Sequence, residues 1–505
     1  MMDAKNLSTN KFAGLNSFHP QPANVRSTTE ARSCSWTGSG RRRLIRCGRI
    51  ASLSAATFLA SALLTLVLPW HAPAAETTPV GVAKVDITPE TPVRMYGYAS
   101  RTTESEGVAG PLKAAALAIG GDEGDGPAVL LAVDCGTVPV SIRAEVLRRV
   151  QAKSPIKPER FMLCNSHNHS GPNLKGMAER EGLQLEHLAA YADLLKDRLE
   201  QVVHEALASR RPSQLSWTQG SVGFAANRRV LKDGKWVGFG AVPEGAVDHS
   251  LPLLRVTDSQ GKPIALVVNY ACHNTTLRGD FKQIHGDWAA CAQQSIEADH
   301  PGTVAMVTIG CGADSDPCPH STVELCRQHG RALADEVGRL MTGPFRPISP
   351  KLTVRQSTLE IPFFDPPPPE ELRRLAAKSH PAARLLKLIE QGETLPSSFA
   401  YELTTWTFGD DLAMVFLPHE VVVEYAIRMK RELDGSRLWI NAYSNDVSGY
   451  VVSKRLIGEG GYEAKNSLSA MVSHGQPEEV QPAMEDRIVE GVKELLPGGF
   501  HAMLK

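Results

Sequence analysis

The chain has 505 residues, 42% of them apolar and 22% charged, which excludes a fibrous or broadly disordered protein and leaves room for one large domain or two. The net charge of −1 hides an asymmetry: residues 1–75 carry nine Lys/Arg against only Asp3 and Glu30, so the remaining body is eight negative. A mildly acidic body argues against a nucleic-acid partner.

The positive excess belongs to a targeting segment. Arg41-Arg42-Arg43-Leu44-Ile45-Arg46 precedes an uncharged apolar stretch from Ile50 to Trp70, and Ala72-Pro73-Ala74 supplies small residues for cleavage. This is the layout of a secretory signal peptide, and the arginine cluster resembles a twin-arginine export signal. Residues 41–75 are therefore expected to be a cleaved leader and residues 1–40, polar and without apolar period, a disordered extension. The mature protein is expected to be exported, periplasmic or extracellular. Retention of residues 50–70 as a membrane anchor is the less favoured alternative: these 21 residues could just span a bilayer, but helix-breaking Pro69 and the small-residue site follow them directly. Beyond the leader stand Cys135, Cys164, Cys272, Cys291, Cys311, Cys318 and Cys326, an odd number that cannot pair completely within one chain. Cys311, Cys318 and Cys326 are spaced closely enough to be the disulfide candidates; Cys135, Cys164 and Cys272 sit in apolar runs, where cysteine acts as a small hydrophobe.

From Val80 onward strand-like and helix-like patterns alternate, so the expected class is mixed α/β, a layered β-sheet core flanked by helices. Val129–Val133 is a short apolar strand, and Ser141–Gln151 follows with helical spacing of Ile142, Val146, Leu147 and Val150. Phe161–Cys164 reads as a second strand, followed by a helix from about 183 to 209. Ile264–Tyr270 and Thr303–Ile309 are buried strands ending in Cys272-His273-Asn274-Thr275 and Gly310-Cys311-Gly312-Ala313-Asp314. Chemistry in layered α/β folds lies in the loops after such strands. Lys351–Ile361 alternates like a strand, Pro366 to Pro369 marks a loop, and Glu370–Gln391 reads as one charged helix. Ala400–Leu417 is a hairpin around Gly409-Asp410-Asp411, Glu420–Leu433 a helix, Leu438–Tyr443 a strand and Glu485–Leu495 a closing helix. With no fixed repeat and no long linker, residues 76–505 are expected to form a single catalytic domain.

Asn165-Ser166-His167-Asn168-His169-Ser170-Gly171-Pro172 ends the second strand. In an extended chain His167 and His169 share a face and make half a metal site; alone, they are equally polar residues closing a strand. His273 follows a buried strand, and Glu420 opens a helix after Val415-Phe416-Leu417-Pro418, where a first-turn glutamate commonly serves the helix dipole. A His/His/Glu set suits zinc with a position left open for water.

At several separated places, in order, the chain resembles the neutral/alkaline ceramidase family. His167 to Pro172 match its His-x-His-Ser-Gly-Pro; Asn227-Arg228-Arg229 partly match its Asn-Arg-Ser-Pro, and His273-Asn274-Thr275 its His-Pro-Thr. Pro418-His419-Glu420 stand for Pro-Gly-Glu, Asn445 to Val451 for Asn-Asp-Tyr-x-x-Tyr-Val, and Tyr462-Glu463-Ala464 for Tyr-Glu-Gly. The resemblance implies zinc held by His167, His273, Glu420 and Tyr450, with His169 as the acid/base beside it and Arg228 and Tyr462 facing the substrate carbonyl. It implies hydrolysis of the N-acyl amide of ceramide-like lipids by water activated on zinc, a lipid amide substrate that allows peripheral membrane contact, and no nucleic acid. The alternatives are a zinc hydrolase for another ester or amide and a non-catalytic binding protein on the same scaffold.

The departures bear on the chemistry. The family's Asn-x-Gly-Asp-Val-Ser-Pro-Asn becomes Ile309 to Pro317, where Asp316 precedes the proline and Ser315 lies one step earlier, so a nucleophilic role for that serine is not carried over. Asp314 is expected to be the polar residue of consequence there, orienting His169 or another ligand. The family's C-terminal immunoglobulin-like domain is expected to be absent.

Overall fold

The continuous apolar runs become strands covered on both faces. The structure, a computed structural model, describes residues 76–175, 185–377, 380–470 and 483–501, all in one compact unit; the expected extension and leader lie outside them. Among the described residues no helix is long and apolar enough to cross a membrane.

The main sheet takes β1 (Thr78–Asp86), β2 (Lys113–Ile119), β3 (Ala128–Val133), β4 (Phe161–Asn165) and β5 (Arg211–Ser221). The chain then leaves it for a hairpin of β6 (Ala225–Lys232) and β7 (Lys235–Val242) before adding β8 (Ser250–Asp258), β9 (Pro263–Tyr270) and β10 (Val304–Ile309). Its order is β10-β9-β8-β5-β1-β2-β3-β4; β9–β10 and β3–β4 are parallel and the rest of the path antiparallel. β11 (Ser315–Pro317) extends the hairpin into a three-stranded sheet, and β12 (Arg346–Ile348) pairs with β5. A second sheet takes β13 (Leu352–Pro362), β14 (Ser398–Phe408) and β15 (Leu412–Phe416); the short β16 (Glu420–Val421) follows, then β17 (Leu438–Asn441), parallel to β15, and β18 (Tyr450–Val451), parallel to β16.

Alternation along each strand sorts side chains into layers. Val129, Leu131 and Val133 face α1 (Val140–Gln151) and α2 (Leu185–Ala208) through Val146, Val150, Leu199 and Val202. Leu266, Val268, Val307 and Ile309 face α3 (Asp287–Asp299) and α4 (Val323–Met341) through Trp288, Ile296, Leu333 and Val337. The intervening Leu130, Val267 and Met306 face the second sheet, against Trp406, Met414, Phe416 and Trp439. Both faces are therefore apolar, which is why these strands read as unbroken runs.

The segment expected to be one helix over 370–391 is two, α5 (Pro369–Ala376) and α6 (His380–Glu390). Pro381 is the reason: proline has no N–H to donate and is tolerated only in a first turn. The expected helix at 420 begins later, as α7 (Val423–Glu432), and α8 (Lys454–Glu459), α9 (Tyr462–Lys465) and α10 (Ala483–Leu495) complete the chain. Ile488, Val489 and Val492 of α10 cover the outer face of the second sheet at Leu403 and Val415, giving four layers, helix–sheet–sheet–helix. The seven cysteines are all free, and six are buried. The disulfide candidates Cys311, Cys318 and Cys326 are unpaired, because Cys311 is committed to the main core and Cys326 to a separate cluster with Cys291 and Leu277.

Candidate active site

Three strand ends are drawn to one place by the segment after β17. Ala442 donates its N–H to Ile309 O at the end of β10 (2.9 Å), while Asn165 at the end of β4 donates to Tyr443 O (3.1 Å). Below them Asn269 Nδ2 donates to Thr308 Oγ1 and to Asn441 Oδ1, both at 3.1 Å, tying β9, β10 and β17 with a buried polar knot. Four of the seven described non-glycine residues with positive φ, namely His167, His419, Tyr443 and Asn445, lie on the loops that follow. Each costs of order 1 kcal/mol or more, a strain that gathers where surrounding structure dictates function.

His167 and His273 are positioned by backbone carbonyls. His167 Nδ1 lies 2.7 Å from Gly136 O and His273 Nδ1 2.9 Å from Gly312 O. A carbonyl can only accept, so each Nδ1 carries the proton and each Nε2 keeps a lone pair. Both Nε2 atoms approach the same oxygen, Glu420 Oε2, at 3.2 and 3.3 Å, and neither His273 Nε2 nor Glu420 Oε2 has a hydrogen-bond partner. Burial, then Arg228, pushes His273 down, keeping it neutral. Buried acceptors aimed at one another with no donor between them fit a cation. The ligand atoms of His167, His169 and His273 all lie within 4.8 Å of one another, and this group could hold a metal ion.

The rings of His167 and His169 meet, but not for the reason expected. β4 stops at Asn165, and His167 sits in the left-handed region at φ 53°, so no extended face is shared. The turn itself brings His169 Nε2 to 3.2 Å from His167 Nε2. Burial and then the two neighbouring imidazoles push the proton affinity of His169 well below that of a free histidine. Glu420 is likewise not in a helical first turn. It lies on β16, opposite Tyr450 of β18, because His419 at φ 70° turns the chain before α7 can start; Glu424 takes the first-turn place.

Tyr450 is buried, and its hydroxyl accepts from Arg228 Nη2 at 3.2 Å. Arg228 is engaged at all three nitrogens: Nε donates to Glu463 Oε1 at 3.0 Å and Nη1 to Asp316 Oδ1 at 3.1 Å, and N–H groups remain. Tyr462 is 44% exposed, its ring 5.7 Å from that of Tyr450. Tyr450, Tyr462 and His169 lie between a cavity of about 390 Å³ on the His167–Glu420 side and one of about 840 Å³ lined also by Arg228, Arg278, Asp316 and Phe239. Volumes in this range suit a small-molecule or lipid ligand.

Asp314 departs from expectation. Its oxygens accept from Val423 N (2.9 Å) and Asn227 Nδ2 (3.1 Å), and its carbonyl from Arg228 N (2.9 Å). It holds the start of α7 and the Asn227–Arg228 strand, not an imidazole. Ser315 accepts the His273 N–H on its carbonyl at 2.9 Å, while its buried Oγ has no partner and hence no base. Ser315→Ala is therefore expected to lower kcat/KM about tenfold or less, roughly 1.4 kcal/mol. Asp314→Asn turns an amide donor towards Val423 N–H or Asn227 Nδ2 and should cost about a hundredfold. Steady-state kinetics on both variants checks the order; inactive, fully folded Ser315→Ala protein would reverse it.

Residues 79–310 match the family model for the neutral/alkaline non-lysosomal ceramidase, N-terminal domain. The family resemblance is borne out over that span. Neutral ceramidase A of Dictyostelium discoideum is 24% identical over 264 residues, 49% of this chain, and the match spans only 37% of that relative's length. The fold is similar to that of neutral ceramidase from Pseudomonas aeruginosa, with a TM-score of 0.64 at 19% identity over 85% of this chain and 76% of that one. A structure described as ceramidase complexed with C2 gives the same TM-score at 18% identity, covering 85% and 77%. His167, His169, Arg228 and His273 fall inside the ceramidase match; Asp314, Glu420, Tyr450 and Tyr462 lie beyond it and join them through the fold.

Two groups at the ceramidase-like site were not read from the sequence. Tyr96 and Tyr98 set ring edges against His169, each at 5.3 Å, and Gly97 between them is at φ 97° where a Cβ would collide with the His169 ring. Arg101 donates to His169 O and to Tyr96 O. Tyr443 packs against His167 at 4.6 Å. The signal available was the Tyr-Gly-Tyr run, which has no strand or helix period. Asp316, where the ceramidase motif has serine, is an ion-pair residue held by Arg228 and by Arg278 at 2.9 Å; against the burial, these guanidiniums keep its carboxyl far below the usual range.

Proposed function

We propose that the protein is a zinc-dependent amidohydrolase that cleaves the N-acyl amide bond of ceramide-like lipids to a fatty acid and a sphingoid base, acting after export. The observation that carries this reading is the convergence of His167 Nε2, His273 Nε2 and Glu420 Oε2, the last two without any hydrogen-bond partner, within a ceramidase-like fold. The donor set suits zinc, with Tyr450 as fourth ligand. Bound there, zinc would supply a Lewis acid and a water acidified to near neutrality. Arg228 holds the Tyr450 hydroxyl and, with Tyr462 across the cavity wall, offers donors to the developing oxyanion. His169, neutral at pH 7 and lining both cavities, takes up a proton and passes it to the departing amine nitrogen.

Asp316 favours a second reading, hydrolysis of another amide or ester: a carboxylate fixed between two guanidiniums makes this wall more polar than a serine would. A panel of labelled ceramides and other N-acyl amides, offered to the purified zinc-loaded protein, separates the two. Release of fatty acid from ceramide with the highest kcat/KM supports the first; turnover confined to a different amide or ester removes it.

A further inference from the structure

The large apolar side chains that the described surface exposes are not scattered. Of seven, Leu231 (40%), Val237 (56%) and Phe239 (54%) lie on the β6–β7 hairpin, and Tyr462 (44%) touches it, its ring 5.3 Å from that of Phe239. Val237 and Phe239 share the outward face of β7 with Lys235 and Ala241, and β7 is the edge of its sheet. An exposed apolar edge is a liability that proteins ordinarily blunt. Here it is built in: Trp236 packs under the strip, 5.4 Å from Phe239, and Gly461, at φ 94°, leaves the room for the Trp236 ring that a Cβ would take.

The strip is continuous with the site. Phe239 and Tyr462 line the 840 Å³ cavity with His169 and Arg228, so rings run Phe239, Tyr462, Tyr450 from the surface inward, with Trp236 packed beside Phe239. The hairpin tip also sets Lys232 across from Lys235, with Asp233 and Gly234 between them; Lys235 Nζ donates to Gly458 O at 2.8 Å, which leaves Lys232 as the outward cation of a tip that is net positive. Apolar side chains flanked by lysines suit an anionic lipid surface, with the rings at headgroup depth. We propose that the β6–β7 hairpin docks on a lipid bilayer, inserting Val237 and Phe239 so that the cavity opens onto the lipid. This deepens the lipid-amide reading above and rests on it for its purpose, while docking is measured without turnover.

The test uses sedimentation of the full chain with vesicles of phosphatidylcholine, with and without phosphatidylserine. Val237→Glu should weaken binding to both about tenfold or more, and Lys232→Glu should weaken binding to the anionic vesicles alone about fivefold or more. Neither residue lines the cavities, so turnover of a short-chain, water-soluble N-acyl amide should stay within about twofold of wild type. Loss of vesicle binding in a protein that turns over no amide would uphold docking and remove the amidohydrolase reading. Equal binding by wild type and Val237→Glu, or a wild type that ignores vesicles and forms a dimer that Val237→Glu dissociates, would overturn docking.

Discussion

Arg228→Met is expected to destabilise the protein by about 3 kcal/mol and to lower kcat/KM by roughly a hundredfold or more. The side chain is buried, and its three nitrogens reach Glu463, Asp316 and Tyr450. Burial works against its charge, but Tyr450, Asp316 and Glu463 together hold the guanidinium firmly protonated. Removing it leaves two buried carboxylates each one cation short. Glu463 keeps Arg229 and Asp316 keeps Arg278, which is why the expected cost lies at the low end for a broken buried pair. It also frees the Tyr450 hydroxyl. Arg228→Lys sharpens the test, since an ammonium keeps the charge but cannot span three partners with a planar fork; it should recover part of the stability and little of the activity. Denaturant midpoints and kcat/KM on the same preparations decide it. Activity within about threefold of wild type in the Met variant would exclude Arg228 from the site.

Much of the architecture was legible because strands buried on both faces must be apolar throughout. Val129–Val133, Ile264–Tyr270 and Thr303–Ile309 could be placed within a residue or so of the observed bounds. What was not legible depends on backbone turns with no periodic signature. His419 and His167 both take left-handed conformations, and so the helix expected at Glu420 is a two-residue strand and the face expected to join His167 to His169 is a turn. The convergence of the site residues was read from a family resemblance; nothing in their spacing brings them together, because the contacts run through Ala442 and Tyr443, which bridge β10 and β4. Asp314 was expected to orient an imidazole; its actual partners, Val423 and Asn227, are distant in sequence and could not be read from it. Tyr96 and Tyr98 escaped because a loop residue that cages a histidine looks, in sequence, like any other loop residue.

The geometry places His169 in the same cluster as His167 and His273, close enough to serve as a ligand, whereas the account gives it the proton. The two differ in what they leave behind. His167 is fixed by Gly136 O and aims its lone pair at Glu420 Oε2; His169 Nδ1 is buried without a partner, and Tyr96, Gly97 and Tyr98 hold its ring. The most direct measurement is therefore the metal content, by elemental analysis, of His167→Ala and His169→Ala purified alongside wild type, with amide turnover on the same samples. The account predicts about one zinc per wild-type chain, none in His167→Ala, and nearly full zinc in His169→Ala with turnover reduced by about a thousandfold. Equal loss of zinc in both variants would contradict it and make His169 a metal ligand.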